Sequence, residues 1–133
     1  MSLLGERLAG AFAGRKVLEL GGGGEWTSAY AGRAAEVTVQ KAGDALSGFG
    51  RRHDALFAPY WWSRVSPERL DELLKEAMQA AAPGALIAFL DRRAGDAGPS
   101  ASELIARASR CGGWGANVEL LPDHWLLTWW AAR

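Results

Sequence analysis

A chain of 133 residues, 49% of them apolar, can bury one hydrophobic core and is too short for two ordinary domains, so a single domain over residues 1–133 is expected. Fifteen Lys and Arg balance fifteen Asp and Glu, which excludes an overall field drawing the chain to nucleic acid or to an anionic membrane. The single cysteine, Cys111, has no disulfide partner, the amino terminus lacks a secretory layout, and no apolar run approaches the roughly 20 residues of a membrane span; a cytoplasmic protein is expected.

Leu4, Leu8, Ala11 and Phe12 recur at helical spacing, predicting an amphipathic helix that ends near Gly14. Val17 to Leu20 reads as a strand. The run Gly21-Gly22-Gly23-Gly24 follows, then a helix over about Glu25 to Ala31, closed by Gly32. Val37-Thr38-Val39 is β-branched and suits a second buried strand. The stretch from Lys41 to Arg52 has room for one helical turn before a third strand, Asp54 to Ala58. Pro59-Tyr60-Trp61-Trp62 then falls in a loop at that strand's carboxyl end.

Ser66-Pro67-Glu68 supplies the N-cap, proline and acidic first turn of a helix whose apolar stripe is Leu70, Leu73, Leu74, Ala77, Met78 and Ala81. Pro83-Gly84 stops it, and Ala85 to Leu90 is an apolar strand. After a polar loop from Arg92 to Pro99, Ser100 or Ser102 caps a helix through about Arg110, ended by Gly112-Gly113. Two strands, Ala116–Leu121 and Trp125–Ala131, flank Pro122-Asp123 as an antiparallel hairpin. Strands alternating with helices and closing in a hairpin give an α/β sheet, mostly parallel with an antiparallel edge.

Glycine inside regular structure costs roughly 0.5–1 kcal/mol relative to alanine, so four in succession point to a close approach that a Cβ would forbid. A strand, a glycine turn and a helix is the arrangement that presents helix amides to a ligand beyond a parallel sheet; a tight turn with close strand–helix packing is the plainer alternative. The spacing Glu-x-Gly-x-Gly from Glu19 differs from the Gly-x-Gly-x-x-Gly of dinucleotide binders.

Val17-Leu-Glu-Leu-Gly-Gly-Gly-Gly24 resembles the first motif of the class I S-adenosylmethionine-dependent methyltransferases. Ala35 to Gln40 resembles that family's second strand, His53 to Pro59 its fourth, and the segment from Pro67 through Pro83-Gly84 to Leu90 the helix, turn and strand that follow. The resemblance implies a three-layer Rossmann-like methyltransferase fold. It implies that Glu19 positions the methionine end of the cofactor, that Gly21, Gly22 and Gly23 let the backbone pass close to it, and that Ala58 and Tyr60 lie on its path. Where the family has a ribose-binding acid this chain has Gln40, and Asp44 in Gly43-Asp44-Ala45 resembles the adenine loop. Between Gln40 and Asp54 the family's helix, strand and helix are absent, so one strand region is shortened.

Seven tryptophans require burial partners, and in the adjacent pairs Trp61-Trp62 and Trp129-Trp130 one ring of each must find a second surface. Tyr60 and Trp61 are the substrate-side candidates. His53 precedes a strand, on the edge away from the site, and His124 lies in a turn, so neither is a strong candidate base. The expected function is methyl transfer from S-adenosylmethionine to a small molecule, with no metal and no nucleic acid; the alternative is a degenerate, non-catalytic methyltransferase fold acting as a binding or assembly module. The missing strand leaves a bare sheet edge or apolar surface, so a homodimer is expected.

Overall fold

The structure is a computed structural model, and it describes residues 2–21, 24–41, 46–93 and 99–132. Helix α1, Leu3–Phe12, starts where the Ser2 hydroxyl accepts a bond from Gly5 N at 3.1 Å, and it buries Leu4, Leu8 and Phe12. Strand β1, Lys16–Glu19, runs into the glycine turn. The helix expected over Glu25 to Ala31 is a single turn, α2, Thr27–Tyr30. Trp26 provides no side-chain cap there, and Thr27 spends its hydroxyl elsewhere: it accepts from Gly24 N at 3.0 Å and donates to Glu19 at 2.7 Å.

Strand β2, Glu36–Val39, is followed among the described residues by one 3-10 turn, Leu46–Phe49, before strand β3, Ala55–Pro59. Helix α3, Pro67–Ala80, is capped by Ser66, and strand β4, Leu86–Arg92, follows it. Ser100 caps helix α4, Ala101–Arg110. The hairpin is β5, Trp114–Leu120, with β6, His124–Trp130. His124 therefore opens a strand, where a turn was expected.

The six described strands lie in the order β2-β1-β3-β4-β6-β5. The first four are mutually parallel, and β6 runs antiparallel to both β4 and β5. Alternation divides the core into two layers. Val17, Ala55, Phe57, Leu86, Ala88, Leu90 and Leu126 face Leu4, Leu8 and Phe12 of α1 and Tyr30 of α2. Leu18, Leu56, Ala58, Ile87, Phe89, Leu127 and Trp129 face α3 and α4 on the other side. Successive strand side chains point to opposite faces, so a sheet covered on both sides reads as the continuous apolar runs seen at 55–58 and 86–90.

The same alternation separates one tryptophan pair. Trp129 is fully buried, stacks on Phe89 at 5.5 Å and donates its indole N–H to Met78 Sδ at 3.0 Å, while Trp130 packs against the α1 layer. Gly113 makes room for this: a Cβ there would lie 2.9 Å from the Trp130 carbonyl oxygen. Trp62 meets Phe89 and Trp125 edge-on at 5.9 and 5.4 Å.

Candidate functional site

Strand β1 sits between β2 and β3, so the chain leaves β1 in one direction across the sheet and returns to pair with it from the other. In a parallel sheet this reversal parts the connecting segments and opens a crevice at the carboxyl ends of the strands. A pocket of ≈ 130 Å³ lies there, lined by Glu19 at the end of β1 and Gly21 beyond it, Gly24, Glu25 and Trp26 before α2, and Pro59 at the end of β3 with Tyr60 and Arg64 beyond it.

Glu19 is 2% exposed. Its Oε1 accepts hydrogen bonds from Thr27 Oγ1 at 2.7 Å and Tyr30 OH at 2.6 Å, and the residue is one of those that line the pocket. Two donors compensate much of the cost of burying the charge and fix its orientation. Tyr30 is fully buried; burial raises its phenol well above the ordinary value, and the bond to Glu19 raises it further. Tyr30 is thus a permanent donor. Gly21 has φ +88°, and a Cβ built on it would sit 2.7 Å from Trp61 Nε1, so the indole of Trp61 lies directly over the glycine turn.

Tyr60 has φ 62°, the left-handed region that non-glycine residues seldom occupy. Its oxygen accepts a bond from Trp26 Nε1 at 2.8 Å and lies 3.0 Å from His124 Nε2. The Arg92 guanidinium stands 5.2 Å from the ring centroid. Burial raises the Tyr60 phenol above its ordinary value, and the charge and hydrogen bond of Glu25 add to it, against the opposite pull of the Trp26 N–H and Arg92. Asp91, 4% exposed, accepts from Ser63 N through Oδ2 and from Arg92 N through Oδ1, both at 2.7 Å, and pins the turn after Tyr60 to β4.

Of the residues singled out in the sequence, Glu19, Gly21 and Tyr60 come together at the pocket, and Trp61 covers the turn. Gln40 is 7% exposed and its N–H bonds the Glu19 carbonyl at 2.8 Å, one strand away. Ala58 is fully buried in the layer toward α3 and α4. Gly22, Gly23 and Asp44 lie outside the described residues. His53 is fully buried at the opposite edge, with Nε2 3.1 Å from Thr38 Oγ1.

Trp26, Arg64, Arg92 and His124 belong to the site's surroundings and were not legible as such. A signal for His124 existed: the first residue of an antiparallel strand lies beside the last residues of its parallel neighbours, and here His124 pairs with Arg92. Among the described residues, no group of three or more His, Cys, Asp or Glu is placed to hold a metal ion, and no helix is long and apolar enough to cross a membrane.

No protein-family model and no curated protein sequence matches the chain. Solved structures do. The DhpI–SAH complex superposes with a TM-score of 0.74 at 26% identity, over 96% of this chain and 82% of that one. A SAM-dependent methyltransferase from Archaeoglobus fulgidus gives 0.74 at 13% identity, covering 96% of this chain and 93% of its own. PigF with SAH gives 0.68 at 15%, covering 90% of this chain and 51% of that chain, so the present chain spans about half its length. The sheet order, the crevice beyond β1 and β3 and these superpositions agree: the chain has a class I S-adenosylmethionine-dependent methyltransferase-like fold.

Proposed function

We propose that the protein is an S-adenosylmethionine-dependent methyltransferase acting on a small-molecule acceptor. The observation that carries this reading is the pairing, at the sheet's reversal point, of a buried, doubly hydrogen-bonded carboxylate at Glu19 with a positive-φ glycine at Gly21. A carboxylate fixed by Thr27 and Tyr30, on a residue that lines the pocket, suits a cationic α-amino group. At Gly21 a Cβ would meet Trp61 Nε1 at 2.7 Å, so the glycine lets that ring close over the turn, and it is the Glu19 carboxylate with its two fixed donors that fits the cationic methionine end of the cofactor. The two similar DhpI structures are a complex with SAH, matched over 96% of this chain, and a SAM–HEP complex, matched over 93%.

S-adenosylmethionine supplies a methyl group on a sulfonium, and its transfer needs chiefly proximity and in-line orientation of the acceptor. In this reading Glu19, Gly21, Gly22, Gly23, Gln40, Asp44, Ala58 and Tyr60 are the cofactor-side residues, and Tyr60 and Trp61 also face the acceptor. Asp91 holds the Tyr60 turn in place through Ser63 N. Calorimetric titration with S-adenosylhomocysteine tests the reading: binding to the native state must also raise the melting temperature by mass action. Absence of both heat and thermal shift would overturn it.

We further propose that the protein is cytoplasmic and forms a homodimer. Support for the dimer comes from the edge strands β2 and β5 and from large apolar side chains left open, Trp114 at 54% and Leu120 at 56% exposure, both on β5. Sedimentation at tens of micromolar that gives a monomer rejects it.

A further inference from the structure

Three features of Tyr60 go beyond packing. Among the described residues it is the non-glycine residue with positive φ, a conformation that persists where its surroundings over-determine it. It lines the pocket, whereas His124 is not among the lining residues. Its oxygen lies between two ring nitrogens, Trp26 Nε1 at 2.8 Å and His124 Nε2 at 3.0 Å.

The direction of each bond follows from what the groups can do. An indole nitrogen only donates, so Tyr60 accepts from Trp26. The phenol proton can go to His124 Nε2 at 3.0 Å, which then carries its own proton on Nδ1, or to the Glu25 carboxylate, which also hydrogen-bonds the phenol. The phenol oxygen retains a second acceptor direction for a donor in the pocket. An acceptor hydroxyl there reaches the imidazole through Tyr60.

We propose that Tyr60 and His124 form a proton relay that takes the proton of a hydroxyl-bearing acceptor during O-methylation, an inference that rests on the methyltransferase reading. The acceptor oxygen forms a C–O bond to the methyl carbon while the C–S bond breaks and its electron pair stays on sulfur, which becomes a neutral thioether. The acceptor's proton passes to the Tyr60 oxygen as the phenol proton passes to His124 Nε2. The resulting imidazolium returns its proton to solvent. Trp26 is a positioning residue that orients the phenol, and Glu25 and Arg92 are the charged groups that act on it, with Glu19 and Arg64 lining the same pocket.

The test is side-chain ¹H–¹⁵N correlation spectroscopy of the labelled protein with S-adenosylhomocysteine, using phenol and 2-propanol as hydroxyl probes and anisole as the probe without that proton. The expected result is an Nδ1–H tautomer at His124 whose resonances respond to phenol or 2-propanol and not to anisole. Tyr60→Phe should abolish that response. With S-adenosylmethionine and phenol, His124→Gln and Tyr60→Phe should each lose roughly a hundredfold in the rate of anisole formation. An Nε2–H tautomer in the parent protein, or a His124 signal indifferent to both hydroxyl probes, overturns the relay. Failure of S-adenosylhomocysteine to bind instead overturns the methyltransferase reading, and the tautomer still decides the Tyr60–His124 pair.

Discussion

Glu19 and His53 are both buried polar groups, at opposite edges of the same sheet, and they are satisfied differently. Glu19, at the carboxyl end of β1, receives two hydrogen bonds on one oxygen and lines a pocket. His53, just before β3, has Nε2 near Thr38 Oγ1 at 3.1 Å, Phe49 edge-on at 6.5 Å, and an Nδ1 with no hydrogen-bond partner among the described residues. Burial alone therefore does not mark a site. A polar side chain tied down on one side and open to a cavity on the other is poised to bind, whereas one enclosed by packing only costs stability.

The largest expected effect breaks the Glu19 edge outright. Gly21→Val places a branched side chain at φ +88° and against the Trp61 indole, so S-adenosylhomocysteine binding should vanish in calorimetry while circular dichroism reports whether the fold persists. A folded variant that binds like the parent would move the cofactor elsewhere. Glu19→Gln sharpens the same edge, because it keeps an acceptor for Thr27 and Tyr30 and removes only the charge. Exchanging a charge-assisted bond for a neutral one should weaken binding roughly tenfold, and an unchanged affinity would remove Glu19 from the ligand's path.

The His53 edge predicts a pH effect on stability and none on the pocket. Burial holds its imidazole below the ordinary value near 6.5, so the unfolded chain binds the proton first as pH falls. Stability is complete above that value and declines as pH drops from it toward the folded-state value, by about 1.4 kcal/mol per pH unit of separation. Urea unfolding at pH 7.5 and 5.5 should show the decline, and His53→Asn should flatten it. A parent protein equally stable at both would show that His53 is charged without penalty.

The smallest expected effect lies at the neighbouring strand. If Gln40 stands where the family holds the ribose, Gln40→Glu should tighten S-adenosylmethionine about fivefold, the worth of about 1 kcal/mol for a charge-assisted bond in place of a neutral one. Weaker binding by the variant would mean that the end of β2 does not meet the ribose.

What the sequence determined by itself is the set of elements and the strand that carries the glycine turn. Ser66-Pro67-Glu68 starts a helix by capping chemistry confined to a few residues, and it does so in the fold, where Ser66 Oγ accepts from Arg69 N. The apolar runs at 55–58 and 86–90 announced strands covered on both faces, and β3 and β4 are so covered. The short passage between Gln40 and Asp54 predicted the loss of a strand region, and one 3-10 turn is what the described residues hold there. Glu19 and Gly21 were legible for the same reason, since both lie within one contiguous motif. Tertiary structure alone decided which distant side chains meet them. The Thr27 hydroxyl donates to Glu19, eight residues earlier and buried, a contact that no window of neighbouring residues can foresee. His124 reached the carboxyl edge because β6 runs against β4, bringing a residue 64 positions after Tyr60 within 3.0 Å of its oxygen. Local preferences are set by the backbone and the nearest few side chains, whereas a site assembled from three separate turns depends on strand order and direction, and those follow only from how the whole chain buries its apolar surface.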